Sequence, residues 1–575
     1  MKNIDLLKKI IYRLEIDKKK NLIYVLILSF LSSLTESISI ALLIPFVGFF
    51  LDPNSYLFSN FLKEIFVFFN ATTEKEILTF VTFIFAFVIM LSALIKINYI
   101  KKSNKLIEDI TSDFRIDIFN FLLNQEYSYY FKYGSNEIMS NLSQKTNAFS
   151  TIIFAAINIL NSSLICVAII IILIMSDPLF TPAIIIFVTA YFIIIYKFKS
   201  RDITKKGEQI NINQNFIINI FENAVGYLQE IIIYDLKKVF SNSFSKVSKI
   251  TASSKANIRS TSMQPKVYLE TLILISAILF IYFSNFTKIS VEANLAFLAV
   301  LAYGIQKTIP QINNIYNLMV NFRSVKPTVQ SFINILEGGN KKTFFSYEKA
   351  SEPIKFNREI KLKNVSFRYD EKSLNILNQI NITIKKGDKI AIKGRTGSGK
   401  TTLINLISGL LDPISGNLLV DDLNINKKNK KSWQKNISIV PQNVFLTDSS
   451  ILENITLSSD ISKNDKNKLS SILKICELEK FINKLPNKIY EKVGERGIRL
   501  SGGQKQRIGI ARALYRDTDL IIFDEPTNAL DFVTESKILK SLTENMIDKT
   551  LLFIIHSESS LKNFKQVIDL NEINK

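Results

Sequence analysis

The chain has 575 residues, of which 47% are hydrophobic and 21% charged, with 43 Phe and a formal net charge of +21. That length exceeds one ordinary core, so two or more domains are expected, and the apolar bias points to a membrane protein rather than a soluble one. The surplus of Lys and Arg then belongs on cytoplasmic loops and not on nucleic acid, and Cys166 and Cys476, far apart in the chain, exclude a disulfide framework.

The first twenty residues are basic and run straight into apolar sequence, too long for a cleaved signal peptide and therefore read as a first membrane span. Spans are expected at about 21–51, 77–98, 150–175, 179–198, 268–286 and 293–322, each meeting the roughly 17–25 residues that a helix needs to cross. Lysine crowds the segments Lys101–Arg115, Lys197–Lys206 and Lys237–Lys266. By the positive-inside rule these are cytoplasmic, and so are both termini. The polar stretches Ile97–Phe149 and Tyr196–Lys266 keep helical periodicity, so membrane helices are expected to continue far into the cytoplasm.

In the first outer loop, Leu57–Phe69 is apolar but too short to span. It is read either as a short helix in the outer interface or as a loop folded on the helices. Asn70-Ala71-Thr72 fits a glycosylation sequon and is read as a chance match. The chain thus divides into a transmembrane domain at 1–335, a polar linker at 336–357 and a third segment at 358–575.

This last segment alternates short apolar runs with helical stretches, as an α/β domain does. Its central motif is Gly394-Arg395-Thr396-Gly397-Ser398-Gly399-Lys400-Thr401, between the strand-like Asp388–Lys393 and the helical Thr402–Ile407. Gly, four residues, then Gly-Lys-Thr is the phosphate-loop pattern in its required strand-to-helix setting. The glycines let backbone N–H groups converge on phosphate oxygens, and the helix adds its positive N-terminal end. Lys400 is placed to neutralise β- and γ-phosphates and Thr401 to put its hydroxyl on Mg²⁺, with Thr402 beside it. A second apolar strand, Leu520–Phe523, ends in Asp524-Glu525. Asp524 reads as the metal residue and Glu525 as the general base that polarises a water. Leu500-Ser501-Gly502-Gly503-Gln504 opens a helix and can offer another anion site.

The phosphate loop, Gln442, Leu500–Gln504, Asp524-Glu525, Ala529-Leu530-Asp531 and His556 stand in the order and spacing of an ATP-binding-cassette nucleotide domain. Residues 359–575 resemble that domain throughout. The resemblance implies ATP and Mg²⁺ as ligands. It implies that Tyr369 stacks on adenine and that Gln442 touches Mg²⁺ and senses the membrane part. It also implies that Asp531 speaks across a dimer and that His556, the only histidine, contacts the γ-phosphate. Ser501, Gly502, Gly503 and Gln504 would close on ATP held by another subunit, so a homodimer with two composite sites is implied.

The whole chain resembles an exporter half-transporter of type I, called type IV in newer schemes. The implied fold is a membrane all-α domain, six transmembrane helices with cytoplasmic extensions, fused to an α/β phosphate-loop cassette. The implied place is the bacterial inner membrane, with the cassette cytoplasmic. Val493–Gly497 is similar to that subclass's coupling segment, and short helices about Gly134–Ser140 and Ile231–Lys237 are expected to dock on the cassettes.

Charge inside a span is a functional hint. Glu36 and Lys307 are such charges, and Lys307 is expected either to pair with an acid such as Glu36 or to face a wet cavity. Lys96 and Lys266 lie near span ends, where snorkelling is expected. Thr35-Glu36-Ser37 followed by Leu43-Ile44-Pro45-Phe46, the outer apolar helix, Pro265–Glu270 and Lys307 before Pro310 are similar to bacterial flippases of lipid-linked oligosaccharides. That likeness implies a cationic belt for a pyrophosphate, to which Lys266 and Lys307 belong. Asn314 and Ser92 stand where further basic residues are expected, with Lys96 one turn on. The leading expectation is an ATP-driven flippase of a lipid-linked oligosaccharide or related glycolipid, with membrane lipid and a second copy as partners. The rivals are an exporter of peptide, drug or lipid A, and a regulated channel or regulatory ATPase that moves no substrate. No peptidase domain precedes the first span, which lowers the expectation of a peptide-processing exporter.

Overall fold

A computed structural model describes residues 3–42, 74–176, 180–284, 291–338, 352–370, 373–458 and 463–574. The Leu43–Phe46 motif, the outer apolar stretch Leu57–Phe69, the Asn70 sequon and most of the linker lie outside the described residues. The chain divides into two compact units, Met1–Gln125 with Tyr130–Phe345, and Glu126–Tyr129 with Ser346–Lys575.

The first unit is helical: α1 (Asn3–Arg13), α2 (Ile16–Ala41), α3 (Glu74–Leu123), α4 (Tyr127–Ser176), α5 (Phe180–Gly226), α6 (Leu228–Ile233), α7 (Lys237–Ser284) and α8 (Val291–Gly338). The helices α3, α4, α5, α7 and α8 are 47 to 50 residues long. At 1.5 Å per residue each is about 70–75 Å long, more than twice the hydrocarbon thickness of a bilayer. Apolar span and polar extension are therefore one rod, as α3 shows by carrying both its apolar start and Lys101–Arg115. Among the described residues, Ile16–Ser39, Leu78–Leu123 and Gln144–Ile172 are long and apolar enough to cross a membrane.

Polar and apolar residues are arranged inside out in this unit. Ser29, Ser32, Ser33, Glu36 and Ser37 of α2 are buried, whereas Phe83, Phe87, Met90 and Leu94 of α3 are exposed. Hydrocarbon offers no hydrogen bonds, so polar groups pair between helices. Ser29 Oγ donates to Asn161 Oδ1 at 3.0 Å, and Asn314 Nδ2 donates to Ser162 Oγ at 2.9 Å.

Two expected short helices are placed differently. Gly134–Ser140 is an uninterrupted part of α4, and Glu126–Tyr129 groups with the second unit. Its Glu126 carboxylate lies 3.0 Å from Lys427 Nζ and 3.8 Å from Lys430 Nζ. Burial pushes the Glu126 carboxyl up, but these two lysines outweigh it and leave it below the usual range. The expected helix at Ile231–Lys237 is α6, three residues earlier.

The second unit holds two sheets. β1 (Glu359–Phe367), β2 (Leu377–Lys385), β4 (Ser415–Val420) and β5 (Leu423–Asn424) form an antiparallel sheet in the order β2-β1-β4-β5. The other, in the order β6-β7-β8-β3-β9, is parallel and comprises β3 (Lys389–Lys393), β6 (Ile437–Val440), β7 (Leu520–Asp524), β8 (Thr550–Ile554) and β9 (Gln566–Asp569).

Successive residues of a strand face opposite ways, and a parallel sheet is covered on both faces. Thus Ile390, Ile392, Leu520, Ile522, Leu552 and Ile554 enter one core. Ala391, Ile521, Phe523, Leu551 and Phe553 enter the other. Phe523 and Phe553 stack at 4.3 Å between ring centres. At about 1.5–3 kcal/mol for each large side chain buried, these central strands are the rigid base of the site at their ends.

Candidate nucleotide site

β3 leads into the phosphate loop, and α9 (Lys400–Ile407) leads out of it. Gly397 and Gly399 hold φ of +83° and +94°, a left-handed backbone that side chains resist. A Cβ on Gly394 would come within 2.6 Å of Ser398 Oγ. Lys400 Nζ donates to the carbonyls of Gly394 at 2.9 Å and Arg395 at 3.0 Å. Burial pulls this ammonium down, against the nearby charges of Glu525 and Asp524. Ser398 Oγ is buried and makes no hydrogen bond among the described residues. A buried hydroxyl without a partner, inside a curled glycine loop at a helix N-terminus, fits a phosphate oxygen. Asn571 Oδ1 accepts from Arg395 N at 3.1 Å and ties the loop to the far end of the chain.

β7 ends at Asp524, and Glu525 leaves it with φ +50°, which is uncommon for a residue with a side chain. Asp524 is 7% exposed, and Thr401 Oγ1 donates to its Oδ2 at 3.4 Å. Burial and the neighbouring Glu525 charge push the Asp524 carboxyl up. Among the described residues no group of three or more His, Cys, Asp or Glu could hold a metal. Thr401 and Asp524, in contact here, and Gln442 are the residues that would hold a divalent ion.

Glu525 is gripped from three sides. Gln442 Nε2 donates to Oε2 at 2.7 Å and Asn528 Nδ2 to the same oxygen at 2.5 Å. His556 Nε2 lies 2.7 Å from Oε1. An ionised carboxylate only accepts, so this pairing assigns the proton to Nε2. Burial raises the Glu525 carboxyl, but the bonds from His556, Gln442 and Asn528 together hold it below the usual range. Gln442, Glu525 and His556 are thus one cluster, drawn from three places in the sequence.

Ser501 caps α10 (Gly502–Tyr515), and Gln504 closes a capping box: Ser501 Oγ accepts from Gln504 N at 3.3 Å while Gln504 Oε1 accepts from Ser501 N at 2.9 Å. A Cβ on Gly503 would meet the Ala529 carbonyl at 2.9 Å, and one on Gly502 the Ala529 side chain at 3.1 Å. Asp531 caps α11 (Phe532–Asn545) by accepting from Thr534 N at 2.9 Å. Tyr369 is half exposed, edge-on to Phe367 at 5.1 Å, with its hydroxyl 3.2 Å from Thr402 Oγ1. Arg395, Thr396 and Gly397 are exposed on the loop.

Sequence reasoning assigned no role to four polar residues that brace this site. Gln506 Oε1 accepts from Ala529 N at 3.1 Å, and Asn528 and Asn571 act as described. Arg512 of α10 donates to the Asn454 carbonyl at 2.7 Å and the Phe445 carbonyl at 3.0 Å, which ties the Gln442 loop to the Ser501 helix. Gln506 lies inside the run Leu500–Arg507 that opens this helix and Arg512 just past it, and both were legible only as helix positions.

In the helical unit Glu36 pairs with Lys96, whose Nζ donates to the two carboxylate oxygens at 2.9 and 3.0 Å. This corrects two expectations: Lys96 does not snorkel alone, and Glu36 is not reserved for Lys307. A carboxylate with 11% of its side chain exposed needs a close cation, and α3 supplies one directly opposite. Lys266 Nζ lies 3.7 Å from Glu270 Oε1, one turn on. Asn314 turns to Ser162, and Ser92 is buried.

Residues 377–528 match the family model described as ABC transporter. Over 302 residues the chain is 34% identical to the heterocyst differentiation ATP-binding protein HepA of Nostoc sp., covering 52% of this chain and 48% of that one. It is 28% identical over 372 residues to the ATP-dependent lipid A-core flippase of Photorhabdus laumondii, covering 64% and 63%. It is 38% identical over 210 residues to the alpha-hemolysin translocation ATP-binding protein HlyB of Escherichia coli O157:H7, covering 36% and 30%. The matches thus span less than two thirds of these relatives' lengths. A solved structure of a bacterial Atm1-family ABC exporter with ATP bound aligns at a TM-score of 0.77 and 18% identity, covering 96% of this chain and 94% of that one. The fold is that of an ABC exporter: a helical membrane part and a C-terminal cassette with a phosphate-loop α/β sheet.

Proposed function

We infer that this chain is an ABC exporter whose cassette hydrolyses ATP to drive transport, and that its cargo is a lipid-linked oligosaccharide or related glycolipid. The observation that supports turnover is the grip on Glu525 by His556, Gln442 and Asn528, next to Asp524 and a phosphate loop with an open Ser398 hydroxyl.

Lys400 and the loop N–H groups hold the β- and γ-phosphates, and Tyr369 stacks on the base. Mg²⁺, when bound through Thr401, Asp524 and Gln442, supplies charge neutralisation at those phosphates. Glu525 orients the attacking water and takes its proton on a carboxylate oxygen. Held by three donors it is a weak base; loss of the Gln442 bond raises its basicity, so the position of that loop gates hydrolysis. His556 fixes Glu525 through Nε2–H, and contact with the γ-phosphate would require that N–H to leave Glu525. Ser501, Gly502, Gly503 and Gln504 of a second copy close over the phosphates, with Asp531 at the joint, so the working unit is a homodimer in a bacterial inner membrane. Both termini and the cassette face the cytoplasm.

The glycolipid reading rests on Lys307 and Lys266 together with the Thr35–Ser37 and Pro265–Glu270 sequences, a cationic path suited to a pyrophosphate headgroup. Glu36 pairs with Lys96, which takes that acid out of the path. Lys307→Ala, measured in vesicles, is expected to impair transport while basal ATPase is kept. Full transport by that variant would reduce Lys307 to scaffold. Lipid A remains a second reading, supported by the likeness to lipid A-core flippases.

A further inference from the structure

β9 lies beside β3 in the parallel sheet, with Asp569 opposite Lys393, the residue that leads into the phosphate loop. Lys393 Nζ lies 3.1 Å from Asp569 Oδ2, so the two strands are pinned where the loop begins. The chain then turns into α12 (Leu570–Ile573), whose first residue, Leu570, is fully buried. A Cβ on Gly394 would come within 3.4 Å of the Leu570 Cβ, so the start of the loop rests on this turn.

Two asparagines of this segment reach the loop. Asn571 N and Nδ2 both donate to Asp569 Oδ1, at 3.0 and 3.1 Å. A carboxylate only accepts, so this pairing turns Asn571 Oδ1 to the loop, where it accepts from Arg395 N at 3.1 Å. Asn574 Oδ1 accepts from Asn378 N at 2.9 Å, while its Nδ2 donates to the Ile376 carbonyl at 2.7 Å and lies 3.5 Å from that of Ser398. Ile376 and Leu377 are in turn the side chains that a Cβ on Gly399 would meet, at 3.0 and 2.9 Å. Arg395 and Ser398 are thus held from one segment, and Thr396 and Gly397 form the tip between them. A loop with glycines at 394, 397 and 399 has little backbone preference of its own, and fixing it costs conformational entropy. Anchors outside the loop reduce the part of that cost that falls on binding. Both anchors are neutral amides and set no charge against a phosphate, and Asp569, which orients one of them, is itself paired with Lys393.

We propose that Asn571, oriented by Asp569, and Asn574 are positioning residues that preorganise the phosphate loop, so that α12 and its flanks set the affinity for a nucleoside triphosphate without touching it. The proposal rests on the reading of this loop as the ATP site, and not on the identity of the cargo. It concerns affinity rather than the chemical step: the side-chain hydrogen bonds of both asparagines go to the loop, to Asp569 and to the start of β2, and none to Glu525, Asp524 or His556.

The test uses the full chain in detergent. ATPase is measured against ATP concentration, binding with a fluorescent ATP analogue, and hydrogen exchange of the phosphate loop in the absence of nucleotide. Asn571→Ala is expected to raise KM and the Kd of the analogue about fivefold, the worth of one net hydrogen bond, with kcat at saturating ATP within about twofold of wild type. Asn571→Ala combined with Asn574→Ala is expected to raise both further and to speed exchange in the loop. Glu572→Ala, an exposed position on the same turn that makes no hydrogen bond to the loop among the described residues, is expected to change none of these. A fall in kcat with KM unchanged, or the same rise in KM in Glu572→Ala, would overturn the proposal, the latter by showing that the turn had come apart. A wild-type chain that binds the analogue, with asparagine variants that bind it equally well, refutes the positioning role alone. A wild-type chain that does not bind it refutes the ATP reading itself.

Discussion

His556 Nε2 lies 2.7 Å from Glu525 Oε1, although 31 residues separate them in sequence. β7 and β8 are paired neighbours, and each delivers one of these residues just past its end. In the reading proposed above, the chemistry of the cassette depends on that contact and on the hydrogen bonds that Gln442 and Asn528 donate to the other oxygen.

Glu525→Gln removes the proton acceptor and keeps the size of the side chain. ATPase turnover is expected to fall about 10²–10⁴-fold, the usual worth of a general base. ATP binding, measured with a fluorescent analogue, is expected to persist. Continued hydrolysis would remove the base assignment.

His556→Ala deletes the hydrogen bond that does most to hold the Glu525 carboxyl down against burial. A depressed carboxyl keeps its charge to lower pH, and its contribution is lost as pH falls through its own pKa. Without His556 that pKa rises, so the acid limb of the ATPase profile is expected to move to higher pH, with turnover reduced about 10²-fold. An unmoved acid limb would show that His556 does not set Glu525.

Asp524→Asn is expected to separate stability from function. Burial and Glu525 raise the Asp524 carboxyl, so its charged form is penalised in the fold at neutral pH and the penalty vanishes as pH falls through the raised pKa. A neutral amide removes the penalty permanently. If the relief is about 1 kcal/mol, Tm of the cassette rises by about 2–4 °C while Mg²⁺-dependent turnover collapses.

Lys96→Ala leaves Glu36 buried beside α3 without its cation. Lys96 is itself 40% exposed, so the cost is expected to be about 1–2 kcal/mol, below that of a fully buried pair. Adding Glu36→Gln is expected to recover most of it in thermal unfolding. Additive losses would mean that the two residues act independently.

The cassette was legible because its chemistry is written in short contiguous runs. The loop at Gly394–Thr401, the strand before Asp524-Glu525 and the alternation of Ile390, Ala391 and Ile392 between two cores each follow from local pattern. Gln506 and Arg512 were not legible, since their partners are backbone atoms brought close only by packing, and Asn528 reaches the nearby Glu525 side chain through a turn that no motif marks. In the helical unit, apolar length marked the spans, but which charge meets which depends on helix rotation and register. Glu36 and Lys96 meet across 60 positions of sequence, and no spacing announces it. The expected short helix at Gly134–Ser140 was misplaced for the same reason: the turn falls earlier, and Glu126 beside it meets Lys427 and Lys430.

The most direct test of the account reconstitutes the purified chain in proteoliposomes with defined fluorescent lipid-linked oligosaccharides and follows their movement between leaflets. The expected result is ATP-dependent translocation by the wild-type chain and none by Glu525→Gln. Failure to move any such lipid, with ATP-dependent export of a peptide or of lipid A by the same preparation, would contradict it.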